Sequence, residues 1–454
     1  MLKGVIEGFY GRSWTRAERM EMMDWIRSAG LNLYVYAPKD DIKLRARWRE
    51  PYDAAEVADI QHLVHEAHRR GLDFMAGLSP CLDITHSDAG EIAALTQRLD
   101  QFIRLGISHI TLLFDDIPSA LNAADQAAFS SFADAQVHVV NACQAHLDRE
   151  APGTRLYFCP TDYCGAFVRH DIAGSTYLGT IGRGLHPAVE IMWTGPDIVS
   201  RSISLAHVLE VGAVLRRKPF IWDNFHANDY DIRRVYAGPL GGRDPAILPH
   251  VAGWVTNPNN EFEANFVAVH TTGQFLNSPS YDERVALDAA LAAWQARFDR
   301  DANGSAARQP VPVGQIRLLT DFFYQPFAQG PESGQLLSSL SSVLTAQRPD
   351  PSSQEWRACL ALLVSLEGRA QELFDAMTEL RNRDLFYAFH QYLWEARHEL
   401  THLLAYMRWL DGKPPADAEF PHQERVYNFY RMGFTAGLND LVQRNRKGQF
   451  RHGH

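Results

Sequence analysis

Ile110-Thr111-Leu112-Leu113-Phe114-Asp115-Asp116-Ile117-Pro118 decides how the rest of the chain is read. From Ile110 to Phe114 the run suits a strand buried on both faces, the kind a parallel sheet requires. It stops at two carboxylates and a proline, which brings no ladder donor. Neighbouring side chains of a regular strand point to opposite faces. Asp115 and Asp116 can therefore serve one pocket only at a lip where the strand ceases to be regular. Barrels and open α/β sheets put their chemistry at such lips. Taken alone, the pair reads better as a cap for the next helix, since Asp is a common helix starter. The remaining sequence reverses that preference.

Working outward, the same pattern repeats. Lys3–Gly8, Leu31–Ala37 and Asp73–Leu78 precede the central run; Arg155–Cys159, Glu190–Met192, Pro219–Trp222 and Gly253–Thr256 follow it. Each is short, apolar and followed by a polar or Gly-rich turn. Helical patterns separate them: Thr15 with Glu18 forms a capping box, Asp53 with Glu56 opens the next helix, and Gly30 and Gly71 mark helix ends. Eight such strands about 35 residues apart are the signature of an α/β fold of the (β/α)8 TIM-barrel type. An open doubly wound sheet shows the same alternation with fewer strands.

The barrel is expected over residues 1–300 as the catalytic domain, with 301–312 as a linker containing Gln309-Pro310-Val311-Pro312. Strand-like runs vanish after it. Amphipathic patterns at Gln315–Phe327, Gly334–Thr345, Ser353–Met377, Asp384–Leu410 and Gln423–Asn445 predict an all-α helical bundle over residues 313–454. Tyr387, Tyr392, Trp394, Tyr406 and Trp409 fall at helical spacing and are expected in its core. Arg446–His454 reads as a polar tail.

Composition narrows the function. Of 454 residues, 46% are hydrophobic and 22% charged, as in an ordinary globular protein. A formal charge of −10 argues against a nucleic-acid backbone as the main partner, because phosphate binding needs clustered Lys and Arg. The five cysteines are scattered and indicate no disulfide framework; Cys159 and Cys164 read as packed thiols. No apolar run approaches the roughly 20 residues of a membrane span, and the N-terminus lacks a signal pattern. No membrane association and a cytoplasmic location are expected.

Gly8, Lys39, Asp115, Asp116, Tyr163, Trp193, Trp222, Asp223, Asn224, Asp229 and Asn257 all stand at or just past strand ends, which a barrel gathers on one rim. Acids, amides, a lysine and aromatics in one cup suit a sugar. Metal binding is the competing reading of a carboxylate-rich rim, but no HxH, HExxH or Cys/His cluster accompanies it, so no metal or cofactor is expected. His226 reads as structural, Asp40-Asp41 as loop capping or ion pairing with Lys43 and Arg45, and Asp162 as solvated or supporting.

Several of these stretches resemble glycoside hydrolase family 84, the family of protein O-GlcNAcases and bacterial β-N-acetylglucosaminidases. They are Gly4-Val5-Ile6-Glu7-Gly8-Phe9-Tyr10-Gly11-Arg12, Tyr36-Ala37-Pro38-Lys39-Asp40-Asp41, Leu112-Leu113-Phe114-Asp115-Asp116-Ile117, Cys159-Pro160-Thr161-Asp162-Tyr163-Cys164, Trp193-Thr194-Gly195-Pro196, Trp222-Asp223-Asn224-Phe225-His226-Ala227-Asn228-Asp229-Tyr230-Asp231 and Thr256-Asn257-Pro258. They run in family order from residue 3 to about 270; Ser13 stands where the pattern has proline.

The resemblance implies retaining, substrate-assisted hydrolysis of a terminal β-linked N-acetylglucosaminide through an oxazoline, an exception to the two-carboxylate scheme. Carried over, Asp115 orients and polarises the acetamido N–H, Asp116 is acid then base, and Tyr163 donates to the acetamido oxygen. Gly8, Lys39, Asn224, Asp229 and Asn257 would hold the sugar, with Trp222 and Asp223 lining the pocket. Two neighbouring carboxylates in a dry pocket resist ionising together, which suits one acid and one anion. An O-GlcNAc-modified protein is an implied partner, and the helical region could pair two copies as a homodimer. A chitinase- or hyaluronidase-like endo-enzyme and an inactive sugar-binding barrel are the rival readings.

Overall fold

The computed structural model describes residues 1–301, 308–344 and 350–415, with positions 418, 420, 434, 437, 438 and 441 beyond them. The expected helix Gln423–Asn445 and the tail Arg446–His454 lie almost wholly outside the described residues.

Eight parallel strands close on themselves: β1 Leu2–Glu7, β2 Leu33–Tyr36, β3 Asp73–Leu78, β4 His109–Leu113, β5 Arg155–Cys159, β6 Glu190–Trp193, β7 Phe220–Asp223 and β8 Gly253–Thr256. Each pairs with its neighbour in sequence, and β1 pairs with β8 from Leu2–Gly253 to Val5–Thr256. That last ladder makes the sheet a barrel rather than an open doubly wound sheet, as the strand count implies.

The expected helix starts form as the caps dictate. Thr15 and Asp53 each accept from the N3 backbone while Glu18 and Glu56 reach back, so both capping boxes are complete. Gly30, at φ +71°, ends the first helix. The N–H of Leu31 bonds back to the Ile26 carbonyl at 2.9 Å, so Leu31 closes the helix instead of opening β2.

Period-two alternation sorts the strand residues. Ile6, Leu33, Val35, Ala37, Met75, Leu113, Tyr157, Cys159, Met192, Phe220, Trp222 and Val255 form one buried cluster drawn from all eight strands, the packed interior of the barrel. Residues of the other parity, among them Tyr34, Leu112, Phe158, Ile221 and Trp254, are equally buried. Strands buried on both sides explain why the sequence runs are continuously apolar rather than alternating.

The chain packs into two compact units that interleave in sequence. The barrel unit comprises Met1–Asp229, Leu240–Asn260 and Val269–Glu283; the second comprises Tyr230–Pro239, Glu261–Ala268 and Arg284 onward. Consecutive boundaries at 300 and 313 do not describe this division, because two barrel-loop segments bond within the second unit. Gly238 N–H donates to the Tyr324 carbonyl at 2.7 Å, and Tyr392 Oη to Glu261 Oε1 at 3.0 Å. Across the expected linker boundary, Asp299–Asp301 pairs antiparallel with Arg308–Pro310; residues 302–307 are outside those described.

The second unit is helical: Val313–Phe322, Pro331–Leu344, Gln354–Thr378 and Arg383–Asp411. The last two pack along each other through faces that include Leu366, Leu373, Phe389, Leu393 and Leu400. Tyr392 and Tyr406 sit in this core as expected, but Tyr387 is 65% exposed and Trp394 is also exposed. Helical spacing puts those two on the outer face, which the composition of the segment could not distinguish. No helix among the described residues is long and apolar enough to cross a membrane.

Candidate active site

Strand parity builds the site. Ile6, Ala37, Leu113, Trp222 and Val255 belong to the barrel interior, and two residues on stand Gly8, Lys39, Asp115, Asn224 and Asn257. Backbone bonds from Ala37 N to Glu7 O (3.2 Å), Phe114 N to Cys159 O (2.9 Å) and Asn257 N to Asp223 O (2.8 Å) carry the ladder past the strand ends. The residues two beyond the interior layer thus share its direction.

Asp115 is buried, and its Oδ2 accepts from Lys39 Nζ at 2.5 Å. Its Oδ1 is equally buried and has no hydrogen-bond partner among the described residues. A buried carboxylate oxygen in that state is costly and stands ready for a donor. Lys39, 4% exposed at its side chain, lies over the rings of Tyr10 (5.5 Å) and Trp222 (6.0 Å). Burial works against its charge, but Asp115 and then Tyr10 more than offset this and hold the Lys39 pKa above its ordinary value.

Asp116 breaks the parity by its backbone. Its φ of +57° is left-handed, a conformation costing a non-glycine residue about 1–3 kcal/mol. The turn leaves Asp116 exposed at the mouth, where two phenols hold it: Tyr163 Oη donates to Oδ1 at 2.8 Å and Tyr10 Oη to Oδ2 at 2.9 Å. Burial raises the Tyr163 pKa, and Asp116 raises it further, so the phenol keeps its proton. Burial likewise pushes Tyr10 up to about 12, against the pull of Lys39 and Arg45. Phe167 packs edge-on against Tyr163 at 4.9 Å.

Amides complete the cup. Asn224 Oδ1 accepts from Trp222 Nε1 at 2.9 Å and from Asn257 Nδ2 at 3.0 Å, while its Nδ2 donates to the Ile198 carbonyl at 2.9 Å. Asn257 Oδ1 is buried with no partner among the described residues, a second open acceptor. Gly8 backs onto Trp222; a Cβ there would stand 2.7 Å from the indole Cζ2. Asp229 Oδ2 accepts the Tyr10 N–H at 2.9 Å, and burial raises its pKa despite that bond.

Two rim expectations fail on parity. Asp223 is still part of β7, one residue after the inward Trp222, so it faces away from the interior. Both its oxygens bind Arg243 (2.6 and 2.9 Å) and Oδ1 also takes the Phe225 N–H, in a fully buried pair. It does not line the pocket. Trp193 follows the inward Met192 and donates from Nε1 to His207 Nε2 at 2.9 Å.

Asp41 caps its loop as expected, accepting from Tyr36 Oη, Tyr52 Oη and Lys43 N–H; it makes no ion pair with Arg45. Arg45 instead donates from Nη1 to Tyr10 Oη at 2.6 Å. Tyr10 and Arg45 are the site residues that sequence reasoning missed. Tyr10 was findable, two residues beyond Gly8; Arg45, in an irregular turn, carries no periodic signal.

Among the described residues no three His, Cys, Asp or Glu side chains group as metal ligands. A cavity of about 280 Å³ opens at the opposite barrel end, by Asn32, Arg155, Glu190 and Phe220, where strands begin. It lies away from the Asp pair. The cup itself offers a cation-paired anion with an open oxygen, a second carboxylate held by two phenols, and amides.

A family model described as beta-N-acetylglucosaminidase matches residues 3–307. The chain is 45% identical over 277 residues to the protein O-GlcNAcases of Mus musculus and Rattus norvegicus, covering 61% of this chain but 30% of each relative. It thus spans under a third of those curated relatives' length. Among solved structures, a mutant O-GlcNAc hydrolase of Thermobaculum terrenum superposes with a TM-score of 0.78 at 25% identity, covering 89% of this chain and 83% of that one. Another, titled CpGH84B, gives 0.78 at 22% identity, over 91% and 69%.

Proposed function

The chain belongs to the beta-N-acetylglucosaminidase family, and from that membership we propose that it is a retaining exo-β-N-acetylglucosaminidase acting on terminal β-linked N-acetylglucosamine, including sugar on Ser or Thr of proteins. The observation that supports this best is the unequal setting of the two aspartates. Asp115 is dry, beside a buried cation, and keeps one oxygen open; Asp116 sits at the mouth, where a leaving group departs and water arrives.

The chemistry follows from those settings. The acetamido N–H donates to Asp115 Oδ1, fixing the group and balancing the positive charge that grows as its oxygen attacks the anomeric carbon. Holding that oxygen in place makes attack intramolecular, worth up to ~7–11 kcal/mol of the barrier. Asp116, protonated, gives its proton to the glycosidic oxygen and later takes one from water. A protonated Asp116 no longer needs the Tyr163 proton, which turns to the acetamido oxygen. Asn257 Oδ1 and Asp229 accept from sugar hydroxyls, Lys39 and Asn224 donate, and Gly8 and Trp222 shape the wall. Asp223 supports β7 and touches no sugar. Asp229 over the distal hydroxyls closes the cup and favours exo over endo action.

In this reading the enzyme works in the cytoplasm without a bound cofactor, and two copies pair through the helical region, which light scattering checks. The decisive experiment compares an aryl β-N-acetylglucosaminide with the matching 2-hydroxy glucoside. Turnover of the first, with inhibition by a thiazoline mimic of the oxazoline, is expected. Equal cleavage of both sugars overturns the reading.

A further inference from the structure

We propose that Arg45 is a positioning residue for the acid/base carboxylate, tying the Tyr10 hydroxyl and the backbone carbonyl of Asp116 together so that the left-handed Asp116 keeps the orientation that reaches the glycosidic oxygen. The inference rests on the proposed hydrolase reading and adds to it a residue with no place in the sugar cup.

The geometry is that of a fork. Arg45 Nη1 donates to Tyr10 Oη at 2.6 Å, and Nη2 stands 3.4 Å from the Asp116 carbonyl oxygen. Tyr10 Oη in turn donates to Asp116 Oδ2 at 2.9 Å. One guanidinium therefore reaches both ends of Asp116, the carbonyl directly and the carboxylate through the phenol. A planar fork can span two acceptors at once, whereas an ammonium engages them as a point charge. Lys39 also lies over the Tyr10 ring but is committed to Asp115.

Asp116 needs such a clamp because its backbone sits at φ +57° in an exposed segment. The residues after it, Ile117 to Ala120, form no helix or strand, so local structure does not hold the turn. Arg45, by contrast, is mounted on a braced loop. The fully buried Arg98 donates to the carbonyls of Lys43 and Trp48 at 2.9 and 2.8 Å. Ser79 N–H holds the Leu44 carbonyl at 2.7 Å, and Asp41 caps the loop's start. The loop after β2 thus exports its rigidity to the end of β4.

A second hold exists: Tyr163 grips Asp116 Oδ1 from the loop after β5. Without Arg45, Asp116 keeps this bond yet loses the restraint on its carbonyl and the ordered partner on Oδ2. Proton delivery is then impaired while the acetamide machinery around Asp115 and Lys39 stays intact. The defect should scale with how much the leaving group needs a proton.

The test measures kcat/KM of wild type, Arg45→Met, Arg45→Lys and Tyr10→Phe on two N-acetylglucosaminides, one with a dinitrophenyl leaving group and one with an alkyl alcohol. Wild-type turnover of both stands as the check on the hydrolase reading; its absence sinks that reading, not the role of Arg45 alone. Arg45→Met is expected to lose about 10–100-fold on the alkyl substrate and under about threefold on the dinitrophenyl one. Arg45→Lys recovers part of the alkyl loss. Tyr10→Phe repeats the selective loss, and the double variant loses less than the product of the singles, because both act along one chain of bonds. Thermal denaturation confirms that each variant folds. Equal losses on both substrates, or losses that multiply in the double variant, overturn the proposal.

Discussion

Lys39 and Asp115 form a nearly dry ion pair, Nζ to Oδ2 at 2.5 Å, and the far oxygen of that carboxylate has no partner among the described residues. Removing one member of a buried pair leaves the other charge uncompensated, at about 3–5 kcal/mol. Lys39→Met is therefore expected to cut kcat/KM by about 10²–10³ on good and poor leaving groups alike, since Asp115 serves the acetamide and not the leaving oxygen. Steady-state kinetics on both substrates checks this; a loss confined to poor leaving groups contradicts the assignment.

Tyr163 is placed to trade partners. Its hydroxyl donates to Asp116, and the proposed chemistry turns that hydrogen bond to the acetamido oxygen. Tyr163→Phe should lower kcat about 10–100-fold and weaken thiazoline binding in the same direction but less, because the thiazoline sulfur, a weaker acceptor, stands where the acetamido oxygen does. Inhibition constants for wild type and variant decide it; unchanged thiazoline affinity would remove Tyr163 from the acetamide.

Asp223 offers a separation of fold from function. Its carboxylate is wholly buried against Arg243, so Asp223→Ala should destabilise the barrel by about 3–5 kcal/mol. Replacing both by apolar residues of similar size should recover most of the melting temperature. A folded Asp223→Ala with wild-type stability and a raised KM would restore Asp223 to the sugar.

Stability should fall on mild acidification. Burial pushes the His207 pKa down to about 4, with Asp197 opposing and His170 adding to the fall, and the ring accepts the Trp193 N–H only while neutral. An unfolded chain takes up that proton near 6.5, so between 6.5 and 4 the unfolded state binds more protons. The contribution is complete above that window and is lost as pH drops through it, on the order of 1 kcal/mol by pH 5. Burial lowers His270 to about 4 as well. His207→Gln, which keeps an acceptor, should flatten the slope in denaturation series at pH 7 and 5; an unchanged slope counts against the buried neutral imidazole.

Much of the site was legible one residue at a time. Gly8, Lys39, Asp115, Asn224 and Asn257 stand where a two-residue period, extended past each strand, aims them inward. Asp223 and Trp193 show the cost of reading the rim by proximity alone, since one residue of register sends a side chain to the other face. Parity applied to β6 and β7 excludes both, and carried past β1 beyond Gly8 it adds Tyr10.

The sequence by itself determined an α/β alternation of eight short apolar runs with capped helices between them, a count that favours a barrel, and the β1–β8 ladder is what closes it. The sequence also determined that two carboxylates meet at the end of β4. Only the tertiary structure decided how those carboxylates differ. Lys39 reaches Asp115 from the loop after β2, the phenols of Tyr10 and Tyr163 reach Asp116 from the loops after β1 and β5, and a left-handed turn swings Asp116 outward. Partners drawn from irregular loops far apart in the chain leave no periodic trace, and their distances exist only once the barrel has closed.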